Sequence, residues 1–116
     1  MTDTPLGDAA RLNELITQLS GTIDSRAGSD PSTSYTAKLL HKGPLSCGKK
    51  IAEEGAELAL ALAAQGKAES ASEAADLIYH MLVGLRSNGV SRAEVADALA
   101  ARQGISGLAE KAARTD

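Results

Sequence analysis

The 116 residues predict an all-α fold, an antiparallel helical bundle. Three observations carry that expectation. Apolar residues recur at three- and four-residue spacing along most of the chain, with no strand alternation, internal repeat or low-complexity block. Serine-led capping sequences and Gly or Pro stops punctuate the periodic segments. The connections between segments are short, which favours antiparallel packing of neighbours.

The first helix is expected over about residues 8–25, where Leu12, Leu15, Ile16, Leu19 and Ile23 share one side. Gly28 and Pro31, in the stretch 27–32, break it. A short helix follows over about 33–42 and is stopped by Gly43-Pro44. The next spans about 46–65, with Ile51, Leu58 and Leu62 on its apolar side and Gly66 as its stop. Ser70-Ala-Ser-Glu73 reads as a capping box that opens a helix continuing to Asn88-Gly89. The core stripe of that helix is Ala74, Leu77, Ile78, Met81, Leu82 and Leu85. Ser91-Arg-Ala-Glu94 repeats the capping pattern and starts a last helix through Arg102. Residues 104–116 read as a polar tail, a final turn or a flexible arm.

Length places residues 1–116 in one domain. Its core is expected to be thin, because Phe and Trp are absent and Tyr35 and Tyr79 are the only aromatic residues. A short chain with few large side chains buries a modest share of its surface alone, so a homo-oligomer is expected. A net charge of −3 offers no basic field to a nucleic-acid backbone and argues against polymeric DNA or RNA as partner. Cys47 is the single cysteine, which excludes an internal disulfide and fits a reducing cytoplasm. Neither a signal-peptide pattern nor a membrane-length apolar run occurs, so no membrane association is expected.

The chemistry-bearing feature is a pair of acidic clusters, Glu53-Glu54-x-x-Glu57 and Glu73-x-x-Asp76, on consecutive helices. Carboxylates three and four apart share a helix face and repel by about 0.2–0.5 kcal/mol per pair. A cation among them removes that cost. Oxygen-only ligands suit Mg²⁺, which takes one or two carboxylates, waters and substrate phosphates. Glu57 lies about 12 Å before the turn between the two helices, and Glu73 and Asp76 about 5–9 Å beyond Ser70, at ~1.5 Å per residue. In an antiparallel hairpin the clusters therefore meet within one turn of the same level. Glu54, Glu57, Glu73 and Asp76 are the expected metal ligands. Glu53, offset by about 100° around its helix, is the candidate to orient or deprotonate a water. Lys50 and His80 stand where they can meet phosphate oxygens.

E-E-x-x-E followed after fifteen residues by E-x-x-D resembles the signature of the MazG-like all-α nucleotide pyrophosphohydrolases. Ser34-Tyr-Thr-Ala-Lys-Leu39, Lys50-Ile-Ala-Glu-Glu-Gly-Ala-Glu57, Glu73-Ala-Ala-Asp-Leu-Ile-Tyr-His-Met-Leu-Val83 and Ser106-Gly-Leu-Ala-Glu-Lys111 narrow the resemblance to the phosphoribosyl-ATP pyrophosphatase family. It covers the chain from about residue 10. It implies Mg²⁺-dependent hydrolysis of phosphoribosyl-ATP to phosphoribosyl-AMP and pyrophosphate, the second step of histidine biosynthesis. It also implies a MazG-like homodimer with active sites near the subunit interface. By position, Glu54, Glu57, Glu73 and Asp76 match the metal-binding acids and Glu53 the additional acid. Ser34, Thr36, Lys38, Lys50 and His80 match motif positions implied to contact substrate. Ser46, Ala52 and Gly84 depart from residues common in that family, which often has a basic residue, a Gly and a bulkier apolar residue there. The cyclohydrolase domain sometimes fused to the family is absent, so a stand-alone enzyme is expected.

Other readings of the same residues stay open. Glu73 can complete a cap with Ser70, and Glu53 and Glu57 can form a solvated face with Lys49 and Lys50. His80 can hydrogen-bond within a helix interface, Tyr35 and Tyr79 can pack as core, and Cys47 can serve as a small apolar filler. Ser34 and Thr36 can be caps, although a helix start also suits a phosphate. For the function, the rivals are a pyrophosphohydrolase acting on a free nucleoside triphosphate of the dCTP or dUTP kind and a non-catalytic helical dimer.

Overall fold

A computed structural model describes residues 5–103, and among them are five α-helices: α1 (Pro5–Arg26), α2 (Tyr35–Lys42), α3 (Pro44–Ala64), α4 (Lys67–Ser87) and α5 (Arg92–Ala101). No strand occurs among the described residues. The predicted tail, 104–116, lies outside them.

Local chemistry sets each boundary. Ser34 adopts extended geometry and its hydroxyl accepts the Ala37 N–H at 3.1 Å, which caps α2 two residues later than expected. Gly43 ends α2 and begins α3 at once; its φ of +93° favours a residue without Cβ, and Pro44 fills the first helical position of α3. At the far end of α3 the expected boundary needs correction. Gly66 does not act as a left-handed stop: Gln65 and Gly66 are both extended, and Gly66 is the N-cap of α4. The Glu69 carboxylate accepts the Gly66 N–H at 3.0 Å, so α4 begins at Lys67 and Ser70 lies inside it. Ser70 instead donates its hydroxyl to the Gly66 carbonyl at 3.0 Å. Glu73 is thereby released from any capping duty.

The C-terminus of α4 closes in a Schellman motif: Gly89 sits at φ +70°, Val90 N–H reaches the Leu85 carbonyl at 2.9 Å, and Gly89 N–H reaches that of Arg86 at 3.2 Å. The capping box of α5 forms as expected, with Ser91 Oγ accepting the Glu94 N–H at 3.1 Å and the Glu94 carboxylate accepting the Ser91 N–H at 3.2 Å.

The core is small and lies at one end. Ile23, Leu39, Cys47, Leu82 and Val83 are buried together, with Ile16, Leu19, Leu40, Ile78 and Tyr79 packed against them. Cys47 is a buried filler whose thiol points to the Leu39 carbonyl at 3.4 Å. The pair α3–α4, folded back on itself by the two-residue connection, is the most extensively packed, and α1 and α2 lie against the half nearer the core. Beyond Cys47, Ala61 is the one fully buried side chain of α3. Leu62, expected on the apolar side, is 67% exposed, as is Leu60 at 64%. Leu12, Leu15 and Met81, also read as core, are nearly half exposed. Helical periodicity identified their faces, but the other described helices leave these side chains largely uncovered. No helix among the described residues is long and apolar enough to cross a membrane.

Candidate metal centre

The tight α3–α4 turn brings the acidic clusters to the same level, as their distances from the turn required. Glu54, Glu57 and Glu73 each direct one carboxylate oxygen into a group whose atoms lie within 4.8 Å of one another. Glu54 and Glu73 are partly buried, and Glu54 Oε2 and Glu73 Oε2 are fully enclosed without any hydrogen-bond partner. Enclosed anionic oxygens without a partner are expensive.

The electrostatics show the same tension. Burial raises the Glu54 pKa above its ordinary 4.5, and the close Glu57 carboxylate adds to this, with Asp76 contributing and Lys50 opposing. Glu73 is raised first by sharing a hydrogen bond with Glu57, then by burial and by the charges of Glu57, Asp76 and Glu54. Both shifts share one physical cause, crowding of carboxylates in an enclosed space, which a cation among them would relieve.

These residues fit a hard divalent ion. Mg²⁺ binds oxygens at ~2.0–2.1 Å, so opposite ligands lie about 4.2 Å apart. The spread of the three oxygens is close to that span, and the two bare oxygens are the ones an ion would satisfy.

Not every expected ligand joins the trio. Asp76, on the exposed side of α4, stands outside it but near enough for its charge to act on Glu54 and Glu73. Glu53 is exposed and turned to Lys50, whose ammonium donates to it at 3.1 Å. That pairing raises the Lys50 pKa, with a further contribution from nearby Tyr35. Lys38 and Ser34 line a shallow hollow of about 450 Å³ with Pro31, Ser32, Thr33 and Tyr35 at the start of α2. The Thr36 hydroxyl is hydrogen-bonded to the Tyr79 hydroxyl across the α2–α4 contact. His80 is buried at 7% exposure, and its Nε2 lies 3.8 Å from Glu54 Oε1. Burial and the Lys50 charge lower its pKa from 6.5, against a smaller opposing pull from Asp76 and Glu53. Sequence reasoning missed two participants. Tyr79 reaches α2 through its hydroxyl, and Glu69 holds the turn; a Gly-x-x-Glu pattern just before a helical run was the available signal for the second.

An all-helical protein whose central hairpin gathers carboxylates into a cation-sized cluster is thus the class that fold and site define. The family described as phosphoribosyl-ATP pyrophosphohydrolase matches residues 16–103. A protein of Caulobacter sp. (strain K31) named phosphoribosyl-ATP pyrophosphatase is 52% identical over 105 residues, covering 90% of this chain and 97% of its own length. One of the same name from Ruegeria sp. (strain TM1040) is 52% identical over 100 residues, 86% of this chain and 95% of that protein. A histidine biosynthesis bifunctional protein of Wolinella succinogenes is 45% identical over 109 residues, 94% of this chain and 48% of that longer protein. The chain belongs to the phosphoribosyl-ATP pyrophosphohydrolase family, and it is a hydrolase.

Proposed function

We propose that this single-domain chain hydrolyses phosphoribosyl-ATP to phosphoribosyl-AMP and pyrophosphate with Mg²⁺, the second step of histidine biosynthesis, as a cytoplasmic homodimer of MazG-like helical bundles. The observation that carries the reading is the carboxylate trio with its two bare, enclosed oxygens. The names of relatives matched over nearly their whole length support the substrate and pathway.

Glu54, Glu57 and Glu73 would hold the ion, with Asp76 completing the set from the exposed edge. Bound there, Mg²⁺ supplies charge neutralisation for the phosphate oxygens and for the leaving pyrophosphate. Glu53, the acid outside these four, orients the attacking water and takes its proton as the α–β anhydride bond breaks. Lys50, tethered to Glu53, and Lys38, on the rim of the α2 hollow, meet phosphate oxygens as point charges. Ser34 and Thr36 sit at the start of α2, where the helix end favours an anion. The exposed leucines of the distal hairpin, Leu60 and Leu62, together with Leu45 at 77% exposure, support the homodimer.

The test is ³¹P NMR of phosphoribosyl-ATP turnover in H₂¹⁸O, which reads the activity and the attacked phosphorus together. Glu54→Gln and Asp76→Asn are expected to lose Mg²⁺-dependent pyrophosphate release by more than about 100-fold, since even residues behind a metal ligand cost 10–100-fold. Helical content should stay near normal. Near-wild-type turnover in either variant would show the site to be misassigned, and equal turnover of dCTP, dUTP or ATP would displace the substrate.

A further inference from the structure

Three rings stand between α2 and the carboxylate trio. Tyr35 and Tyr79 lie nearly parallel, with centroids 6.5 Å apart and planes at 18°. The His80 ring meets Tyr79 edge-on at 5.0 Å and 77°, and Tyr35 edge-on at 6.2 Å and 90°. Such edge-to-face contacts are favourable and directional. The Thr36–Tyr79 hydroxyl bond fixes the Tyr79 ring to α2. On its other side, His80 looks onto Glu54: Nε2 is 3.8 Å from Oε1, while Oε2 of the same carboxylate is enclosed and bare.

With 8% of its side chain exposed, walled by two tyrosines and facing a carboxylate, His80 has little surface to offer a substrate. It has the placement of a group that aims a ligand. From this geometry we infer that His80 is a positioning residue for Glu54, donating Nε2–H to Oε1 so that Oε2 is the oxygen presented to the cation. The inference rests on the reading of Glu54, Glu57 and Glu73 as a divalent-cation site.

The physical need is plain. A glutamate reaches its carboxylate through three torsions, and here Glu57 and Asp76 repel it. A donor behind Oε1 fixes the orientation of Oε2 and offsets part of the cost of enclosing it. The present separation exceeds a hydrogen bond of about 2.7–3.2 Å, so the contact is expected to shorten when an ion draws the three carboxylates together. The tyrosines hold the imidazole edge-on, and Thr36 holds Tyr79. Residues of α2 and of α4 thereby act together on one ligand.

The test uses Mn²⁺ alone, without nucleotide, on the full chain, with free Mn²⁺ read by electron paramagnetic resonance. The wild type should bind. His80→Leu should weaken binding about 10–100-fold, and His80→Gln, whose amide N–H can reach the Nε2 position, should recover most of the loss. Wild-type affinity in His80→Leu, or no recovery in His80→Gln, would overturn the assignment. A wild type that binds no Mn²⁺ would overturn the cation site itself, and this assignment with it. A second measurement needs no variant. The chain has two histidines, so ¹⁵N-histidine labelling gives two pairs of ring signals, with exposed His41 as control. Saturating Mg²⁺ at pH 8 should move the His80 Nε2 resonance to that of a protonated, hydrogen-bonded nitrogen and leave His41 unmoved. An unchanged His80 signal would likewise overturn the proposal.

Discussion

Glu73 illustrates how one side chain can carry two incompatible sequence readings until its neighbours are known. Ser70 stands three residues before it, which suits a cap, and Asp76 three residues after it, which suits a metal face. The cap was taken instead by Glu69, one turn earlier, and Glu73 turns inward. Its raised pKa has a consequence for stability. The folded state holds the Glu73 proton above the ordinary 4.5, so it binds more protons than the unfolded chain there. Stability from this group is then full below about 4.5 and is lost as pH rises through the raised value. In chelator at pH 7.5, Glu73→Gln should therefore raise Tm, and at pH 4.5 the variant and wild type should melt together. Excess Mg²⁺ should reverse the order at pH 7.5, because an ion at 100 times its Kd stabilises the wild type by about 2.7 kcal/mol. Thermal melts at the two pH values, with and without Mg²⁺, check all three statements.

Among the helices, the α3–α4 hairpin decides the site, and its contact surface depends on small residues. Gly84 of α4 is one of them. A Cβ built on it would lie 2.7 Å from Ile51 Cδ1, on the facing helix of the same chain. Close approach is thus the reason for this glycine, and the neighbour is internal. Gly84→Ala should be near neutral, because a helix-propensity gain of about 1 kcal/mol is offset by displacing the end of Ile51. In an Ile51→Val background, which lacks that methyl, the same change should stabilise by close to the full ~1 kcal/mol. A double-mutant cycle from urea melts measures the coupling, and strict additivity would refute the packing account. Helix α5 rests on its cap rather than on burial, since none of its residues is buried. Ser91→Ala should cost about 1 kcal/mol of local stability, seen as faster amide exchange in residues 92–101.

Taken together, the described helices leave several large apolar side chains bare. Leu60, Leu62, Leu45 and Leu99 are all more than 60% exposed, while the largest fully buried side chains are Ile23, Val83 and Cys47. The proposed homodimer predicts a Tm that rises with protein concentration, since association stabilises the folded state by mass action. Replacing Leu60 and Leu62 together with Asp should shift the protein to a monomer in sedimentation velocity. A variant that stays dimeric would move the interface elsewhere.

Helical periodicity, Gly43-Pro44, the Ser91 cap and the spacing of five acids around a short turn made the all-α class and the carboxylate cluster legible from residue order, because each depends on neighbours within a turn or two. The level at which Glu57 meets Glu73 follows from helical rise once α4 is counted from Lys67 rather than from Ser70. The inward turn of Glu73, the exclusion of Asp76 and Glu53 from the trio, and the burial of His80 behind Glu54 did not. Those depend on which side chains α2 and α4 bring together across forty residues of chain, as Thr36 and Tyr79 do. Contacts of that kind are set by packing, and no local pattern encodes them.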